Sequence, residues 1–198
     1  MTSSTDAPEA PWTSIRAAHG VLQRRPTAAD LPGVFAVHSD PRVYQYDPDE
    51  THPEPAHTAR FLAPLLAHWT EHGFGYWSVL VPPAMFPDGV GGDADEGRVI
   101  AGLGGIQHHT TAGRPVLNVY LRFAAAAQGL GLARTVLEHA LAIAPLVAAG
   151  RDLVVRTRPA NTIARLVAER AGFVDEGLES GATDMQLLRH PAPGSQQR

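Results

Sequence analysis

Between Val116 and Ala133 the chain reads V-L-N-V-Y-L-R-F-A-A-A-A-Q-G-L-G-L-A, and the chemistry most directly open to it is the binding of a phosphate. Gly129 and Gly131 let the backbone turn and come close to a ligand. A helical pattern follows at once, so the first N–H groups of that helix lack partners within it and face whatever lies at its start. Such a place holds an anion without a charged side chain. This suits a chain with no lysine, in which all sixteen basic residues are arginine. On the strand leading into the turn, Asn118 and Tyr120 share one face. Asn118 cannot act as a base, but it can hydrogen-bond an amine or an ordered water. Tyr120 can donate a proton or line a pocket. His108 and His109, in the preceding strand, are the nearest groups with ordinary pKa values suited to proton transfer, although plain exposure at a strand end accounts for each.

Two other patterns compete with this reading. His68-Trp-Thr-Glu71-His72 matches H-x-x-E-H, which places two histidines on one helical face as zinc hydrolases do. Gly73 ends the helix immediately, however. Both histidines then sit in the last turn, where positive charge suits the helix dipole, and no third ligand is apparent. No metal is expected. Gly129-x-Gly131, with Asp152 twenty-one residues later, has the outline of a dinucleotide fingerprint. Arg134 stands in place of its third glycine, the acid precedes its strand instead of following it, and only 67 residues remain after Gly131. A dinucleotide domain is therefore not expected.

The elements that must position these groups can be read from periodicity. Val119, Leu121 and Phe123 alternate with Asn118, Tyr120 and Arg122, the period of a strand. Behind the turn, Ala133, Val136, Leu137, Ala140, Leu141 and Ala144 make one apolar helical face. Earlier, a strand is expected near His19 to Arg25, and Thr27 with Asp30 three residues later can cap a helix. Leu31, Val34, Phe35 and His38 share a face of that helix, which should stop at Ser39-Asp40-Pro41. A loop rich in Tyr, Asp and Pro follows from Val43 to Pro55. Leu62, Leu65, Leu66 and Trp69 mark a second helix ending near Gly73. Phe74 to Val81 and Arg98 to His108 read as strands. The Pro82–Gly97 stretch between them is too long for a tight hairpin, and either a lid or simple disorder accounts for it. Leu153 to Thr157 reads as a strand and Asn161 to Ala171 as a helix, with Ile163, Leu166, Val167 and Arg170 on one side and Gly172 as its stop. A final strand is expected between Asp184 and Arg189.

Composition narrows the class. At 198 residues and 44% hydrophobic, the chain can bury one good core. A single domain is expected over residues 17–190, with a mobile leader at 1–16 and a frayed tail at 191–198. Net charge is −4 with no basic run, so nucleic acid is not an expected partner. No signal peptide and no span of membrane length is seen, so no membrane association is expected and the default location is cytoplasmic. The absence of cysteine excludes disulfides and thiolate metal sites.

Several segments together resemble the GNAT superfamily of N-acetyltransferases. Gln128-Gly-Leu-Gly131-Leu-Ala133 is similar to that family's Q/R-x-x-G-x-G/A loop, and it stands where the family has it, between strand four and helix three. Arg24 to Tyr46 and G-F-G-Y-W-S-V from Gly73 to Val79 resemble segments of the branch that acetylates ribosomal-protein N-termini. Asn161-Thr-Ile-Ala-Arg through Ala171-Gly-Phe173 is similar to the family's N-x-x-S/A…G-F element. The resemblance implies a mixed α/β (α+β) fold, its mostly antiparallel sheet splayed between strands four and five, with helices on both faces.

It also implies a site for acetyl-CoA as co-substrate. The backbone of Gln128, Gly129, Leu130, Gly131, Leu132 and Ala133 would hold the pyrophosphate, and the pantetheine arm would pair with the strand around Leu121 and Phe123. Asn161 would reach the pantetheine or thioester end, although capping a helix is its plainer role. The implied reaction is acetyl transfer to a primary amine of a small molecule or a peptide N-terminus, by direct attack on the thioester, with a homodimer compatible with this reading. The acceptor wall would come from the first two helices and the Val43–Pro55 loop, whose Tyr44, Tyr46, Asp47, Asp49 and Glu50 would favour a cationic amine. Three usual proton-handling positions of the family are matched here by Asn118, Ala164 and Ala168. Asn118 and Tyr120 are then the catalytic candidates, positioning an amine that loses its proton to water. The alternative is a non-catalytic acyl-CoA binder or sensor.

Overall fold

A computed structural model describes residues 10–86, 97–180 and 184–193. Eight strands make one sheet: β1 (Ser14–Arg16), β2 (Leu22–Arg24), β3 (Tyr76–Val81), β4 (Val99–Thr111), β5 (Arg114–Phe123), β6 (Leu153–Thr157), β7 (Val174–Leu178) and β8 (Gln186–His190). Their order is β1-β2-β3-β4-β5-β6-β8-β7. Every neighbouring pair is antiparallel except β5 with β6. Four helices accompany them: α1 (Leu31–His38), α2 (Pro55–His72), α3 (Leu132–Val147) and α4 (Thr162–Arg170). The expected mixed, mostly antiparallel α/β fold is the observed one.

Adjacent residues of β4 show how the helices are divided. Leu103 packs with Val34 of α1, Leu62 and Leu65 of α2, and Tyr76. Gly104, one residue on and therefore facing the opposite way, lies against Val136 of α3. The sheet is covered on both faces. α1 is anchored from its start: Thr27 and Asp30 form the expected capping box around the short turn Ala28–Asp30. Buried Asp30 also takes two bonds from the Arg24 guanidinium, at 2.8 and 2.7 Å, and one from Ser78 Oγ at 2.6 Å. Gly73 closes α2 in the left-handed conformation, φ 72°, as the sequence predicts.

Some expectations need correction. The leader expected at 1–16 is shorter at its inner end, because Ser14–Arg16 form β1 and pair with β2, while residues 1–9 lie outside the described residues. Trp12 helps to hold this edge, donating to Gly73 O at 2.9 Å and accepting from Trp77 Nε1 at 2.8 Å. The strand expected over His19–Arg25 is only Leu22–Arg24, since His19 takes a positive φ of 57° in the turn before it. β7 has no forerunner in the sequence reading; its V-D-E-G-L alternates without a continuous apolar face. On α4, Ile163 and Leu166 are exposed, and Ala168 is what the helix buries. Of the 82–97 stretch, Pro83–Met85 form one short turn, Met85 and Phe86 rest on the core, and residues 87–96 lie outside the described residues. Residues 194–198 of the expected tail lie outside them as well. Among the described residues, no helix is long and apolar enough to cross a membrane.

Candidate active site

The glycine turn has the geometry that its spacing implies. Gly129 and Gly131 both adopt left-handed backbone, φ 83° and 77°, a region that costs side-chain-bearing residues about 1–2 kcal/mol. A Cβ at either position would meet nothing within 4 Å, so glycine serves backbone conformation here and not space. Gly131 caps α3 without a side-chain bond, and the bond from Thr135 N–H to Gly131 O, 3.1 Å, closes the first turn. The N–H groups of Leu132, Ala133 and Arg134 thus lie at an open helix start. Gln128, Gly129, Leu130 and Gly131 are exposed, whereas the Leu132 side chain is buried and seats the helix on the core.

Leading into this turn, β5 loses its partner on one side. β5 and β6 pair in parallel only from Leu117↔Leu153 to Val119↔Val155. Beyond that register β6 continues beside β8 alone, through Arg156 and Thr157, while β5 continues beside β4 alone, through Tyr120 to Phe123. Leu117 N–H points toward the β6 side, donating to Asp152 O at 2.9 Å. Backbone direction alternates along a strand, so Val119, Leu121 and Phe123 turn their N–H and C=O the same way. Leu121 and Phe123 therefore present backbone polar groups to the cleft where the strands part. An extended polar arm laid in that cleft would find strand-like partners.

The side chains of β5 that face α1 and α2 build the other half of the site. Asn118 donates from Nδ2 to Tyr76 Oη at 2.8 Å, and the Tyr76 and Tyr120 rings stack with centroids 5.0 Å apart. Gly105 makes this stacking feasible. It pairs with Tyr76 on one side and Tyr120 on the other at φ 146°, and a Cβ there would meet Gly75 O at 2.7 Å and the Trp77 ring at 2.9 Å, so only glycine lets the strands come this close. Asn118, Tyr120 and Tyr76 thus come together, and burial pushes the Tyr76 phenol well above its ordinary pKa.

Around Tyr120 stands a chamber of residues that the sequence does not single out together. His38, at the end of α1, is fully buried and shares a 2.7 Å hydrogen bond between Nδ1 and Tyr44 Oη. Its ring lies 4.6 Å from that of His52, 4.9 Å from Phe61 and 6.4 Å from Tyr120. His52 Nδ1 is 2.8 Å from Thr58 Oγ1. The Arg122 guanidinium lies 4.2 Å from the centre of the Tyr44 ring and donates to Val43 O at 3.2 Å. Burial, with neighbouring His57 and Arg122, lowers His52 to about 4; burial, with His52 and Arg122, lowers His38 well below its ordinary value. Both imidazoles are neutral at pH 7. His38 on the inner face of α1, Tyr44 in the loop and Tyr120 on its strand each carry a local signal; that they meet, with His52, Phe61 and Arg122, depends on the packing of distant segments.

Several candidate residues stand differently from their expected roles. Asn161 caps α4, its Oδ1 accepting from Ala164 N at 3.1 Å, which leaves the NH2 group outside the cap. The acidic loop is less available to a cation than its composition suggests, because Asp47 is paired with Arg158 Nη2 at 2.7 Å and Tyr44 is turned inward. Asp152 accepts from Arg189 Nη1 and from Ala192 N, a structural role. His109 is lowered by burial and by Arg156. His108 is not a free strand-end group: its Nδ1 accepts from Arg151 Nη1 at 2.7 Å, and burial and Arg151 lower it to about 4. It also stands beside His68 and His72, so the H-x-x-E-H pair does have a third histidine.

Comparisons with known proteins agree with this architecture. A sequence model described as "Acetyltransferase (GNAT) domain" matches residues 21–174. Among curated proteins none matches in sequence. An acetyltransferase from Agrobacterium tumefaciens str. C58 superposes with a TM-score of 0.65 at 20% identity, covering 89% of this chain and 93% of that one. A GNAT superfamily phosphinothricin acetyltransferase from Sinorhizobium meliloti, in complex with AcCoA, superposes at 0.62 with 18% identity, over 91% and 89%. A ribosomal L7/L12 alpha-N-protein acetyltransferase in complex with coenzyme A gives 0.63 at 12% identity, over 90% and 98%.

Proposed function

This chain belongs to the GNAT acetyltransferase family, and from that premise we propose that it moves the acetyl group of acetyl-CoA onto a primary amine of a small molecule or a peptide N-terminus. The observation that carries this reading is the parting of β5 and β6 after Val119 and Val155, directly before the Gly129–Gly131 turn. In this reading the N–H groups from Gly129 to Ala133 bind the pyrophosphate, as an open helix start binds any anion. Leu121 and Phe123 offer backbone pairing to the pantetheine arm, and the NH2 group of Asn161 approaches the same arm. The phosphinothricin enzyme with AcCoA and the ribosomal-protein enzyme with coenzyme A support the choice of co-substrate.

On the acceptor side, α1, α2 and the turn between them wall a chamber whose floor is Tyr120. Asn118, oriented by Tyr76, holds the amine or its water; the ammonium gives its proton to water, since no carboxylate stands at that position. The amine nitrogen then bonds to the acetyl carbon while a β5 backbone N–H stabilises the oxyanion, the nitrogen gives a second proton to water, and the C–S bond breaks to leave the amide and the thiolate. Thiolate is a good leaving group, an ordinary thiol having a pKa of about 8.5, and Tyr120 can donate to it.

Calorimetry with acetyl-CoA should show one site, and thiol release across a panel of peptides, amino acids and aminoglycosides should find an acceptor. Binding without release on every acceptor would favour a sensor, and failure to bind any CoA ester would sink the reading altogether. On the true acceptor, unchanged transfer in both Asn118→Ala and Tyr120→Phe would remove those two residues from the mechanism.

A further inference from the structure

We propose that His68, His72 and His108 form a binding site for a divalent transition-metal ion, zinc by the chemistry of its ligands, joining the end of α2 to β4. His68 and His72 lie one helical turn apart in the last part of α2, and His108 comes from the far half of β4, beyond the last β3–β4 pair at Tyr76↔Gly105. One ring nitrogen from each lies within 4.8 Å of the other two. A tetrahedral ion with Zn–N bonds of about 2.0–2.1 Å holds its ligand atoms about 3.3 Å apart, so the rings need only a modest approach. His72, at the exposed end of the helix with its Nε2 3.7 Å from Glu71 Oε1, can supply most of it by rotating away from that carboxylate. All-imidazole ligation selects zinc and its neighbours over calcium or magnesium, which take oxygen ligands. Three protein ligands leave a fourth position for water.

One hydrogen bond at the cluster orients a ligand for a cation, and two others compete with it. His68 Nδ1 lies 2.8 Å from Phe74 O, which can only accept, so Nδ1 carries the proton and Nε2 keeps the lone pair. That carbonyl is the outer partner that typically fixes a ligating imidazole's tautomer and orientation. The His68 Nε2 lone pair accepts from His108 N–H at 3.2 Å, and the His108 Nδ1 lone pair accepts from Arg151 Nη1 at 2.7 Å. Two N–H donors thus occupy the lone pairs that an ion would take. The carbonyls at the C-terminal end of α2 add a favourable partial charge. Arg151 opposes the ion, both by occupying His108 and by its own charge. It is therefore a competitor whose removal should strengthen binding.

Calorimetry of the full chain with Zn2+, after chelator treatment, should show one equivalent bound, and Co2+ should give the visible absorption of a tetrahedral site. Zinc should also raise the melting temperature. His72→Ala, at an exposed residue, should fold normally, weaken zinc about 100-fold or more and abolish the thermal shift. Arg151→Ala should tighten zinc about tenfold, the size expected for removing one competing charge-assisted bond. His19→Asn, at an exposed histidine outside the cluster, should change nothing. No zinc binding by the wild type, binding that survives His72→Ala, or weakening on Arg151→Ala would each overturn the assignment.

Discussion

The glycine turn and the chamber around Tyr120 are separated by only seven residues of chain, yet they are built in opposite ways. The turn at Gln128–Ala133 is made of backbone: two left-handed glycines and an uncapped helix start. The chamber is made of side chains brought from α1, the loop after it, α2, β3 and β5, among them His38, His52, Phe61, Tyr76 and Tyr120. A backbone site should tolerate side-chain changes and fail when φ is disturbed. A side-chain site should do the reverse, and it should depend on whatever holds its walls together.

The largest expected effect tests that dependence. Asp30 ties the start of α1 to β2 and β3, so Asp30→Ala removes bonds from Arg24, Ser78 and Thr27 at once. Breaking a buried ion pair on one side typically costs about 3–5 kcal/mol, a large part of a domain's stability. Urea unfolding should show that loss. The surviving folded protein should keep its acetyl-CoA affinity and raise its acceptor KM, because α1 walls the chamber and not the turn. Equal damage to both would mean that the two regions are one cooperative unit.

Next comes the turn itself. Gly131→Val meets no steric obstacle, since a Cβ there would find open space, but it forces a β-branched residue to φ 77°. The cost should be about 2 kcal/mol, or about 30-fold in acetyl-CoA affinity by calorimetry, with acceptor KM unmoved. Gly131→Asn should be milder, because asparagine visits this region more readily. On the chamber side, Tyr120→Phe removes one hydroxyl and should lower kcat about fivefold, near 1 kcal/mol, with acetyl-CoA affinity intact.

The same contrast explains which parts of the molecule were legible in its sequence. The geometry of the turn was, because it is set by six consecutive residues, and so were α1, α2, α3, β5 and β6, whose periodicities are local. β1 and β7 were not: three residues with one partly buried side chain, and five that alternate without an apolar face, carry no periodic signal. The chamber was hidden because His38, His52 and Tyr120 meet only after α1 and α2 have packed. His108 joined His68 and His72 for the same kind of reason, His68 and its hydrogen-bond partner standing forty positions apart in the chain.

The smallest effect expected separates the two regions by pH. His52 folds with a pKa lowered to about 4 from an ordinary 6.5, and His38 is lowered in the same direction by burial. Between those values the unfolded chain binds more protons than the folded one, so stability falls as pH drops below about 6.5. For His52 alone the loss between pH 7 and pH 6 should be roughly 0.7 kcal/mol, read as a lower urea midpoint. His52→Asn should flatten that slope. Asp30 contributes only further down: its buried carboxyl, raised by burial but lowered more by Arg24, Ser78 and Thr27, sits below its ordinary 3.8, so its stabilisation persists until the pH falls through that range. The turn holds no titratable side chain from Gln128 to Ala133. Acid should therefore loosen the acceptor wall first, raising acceptor KM at pH 6 before the grip of the glycine turn changes; a turn that weakened in step with the chamber would show that its backbone geometry is held by the histidine side of the molecule after all.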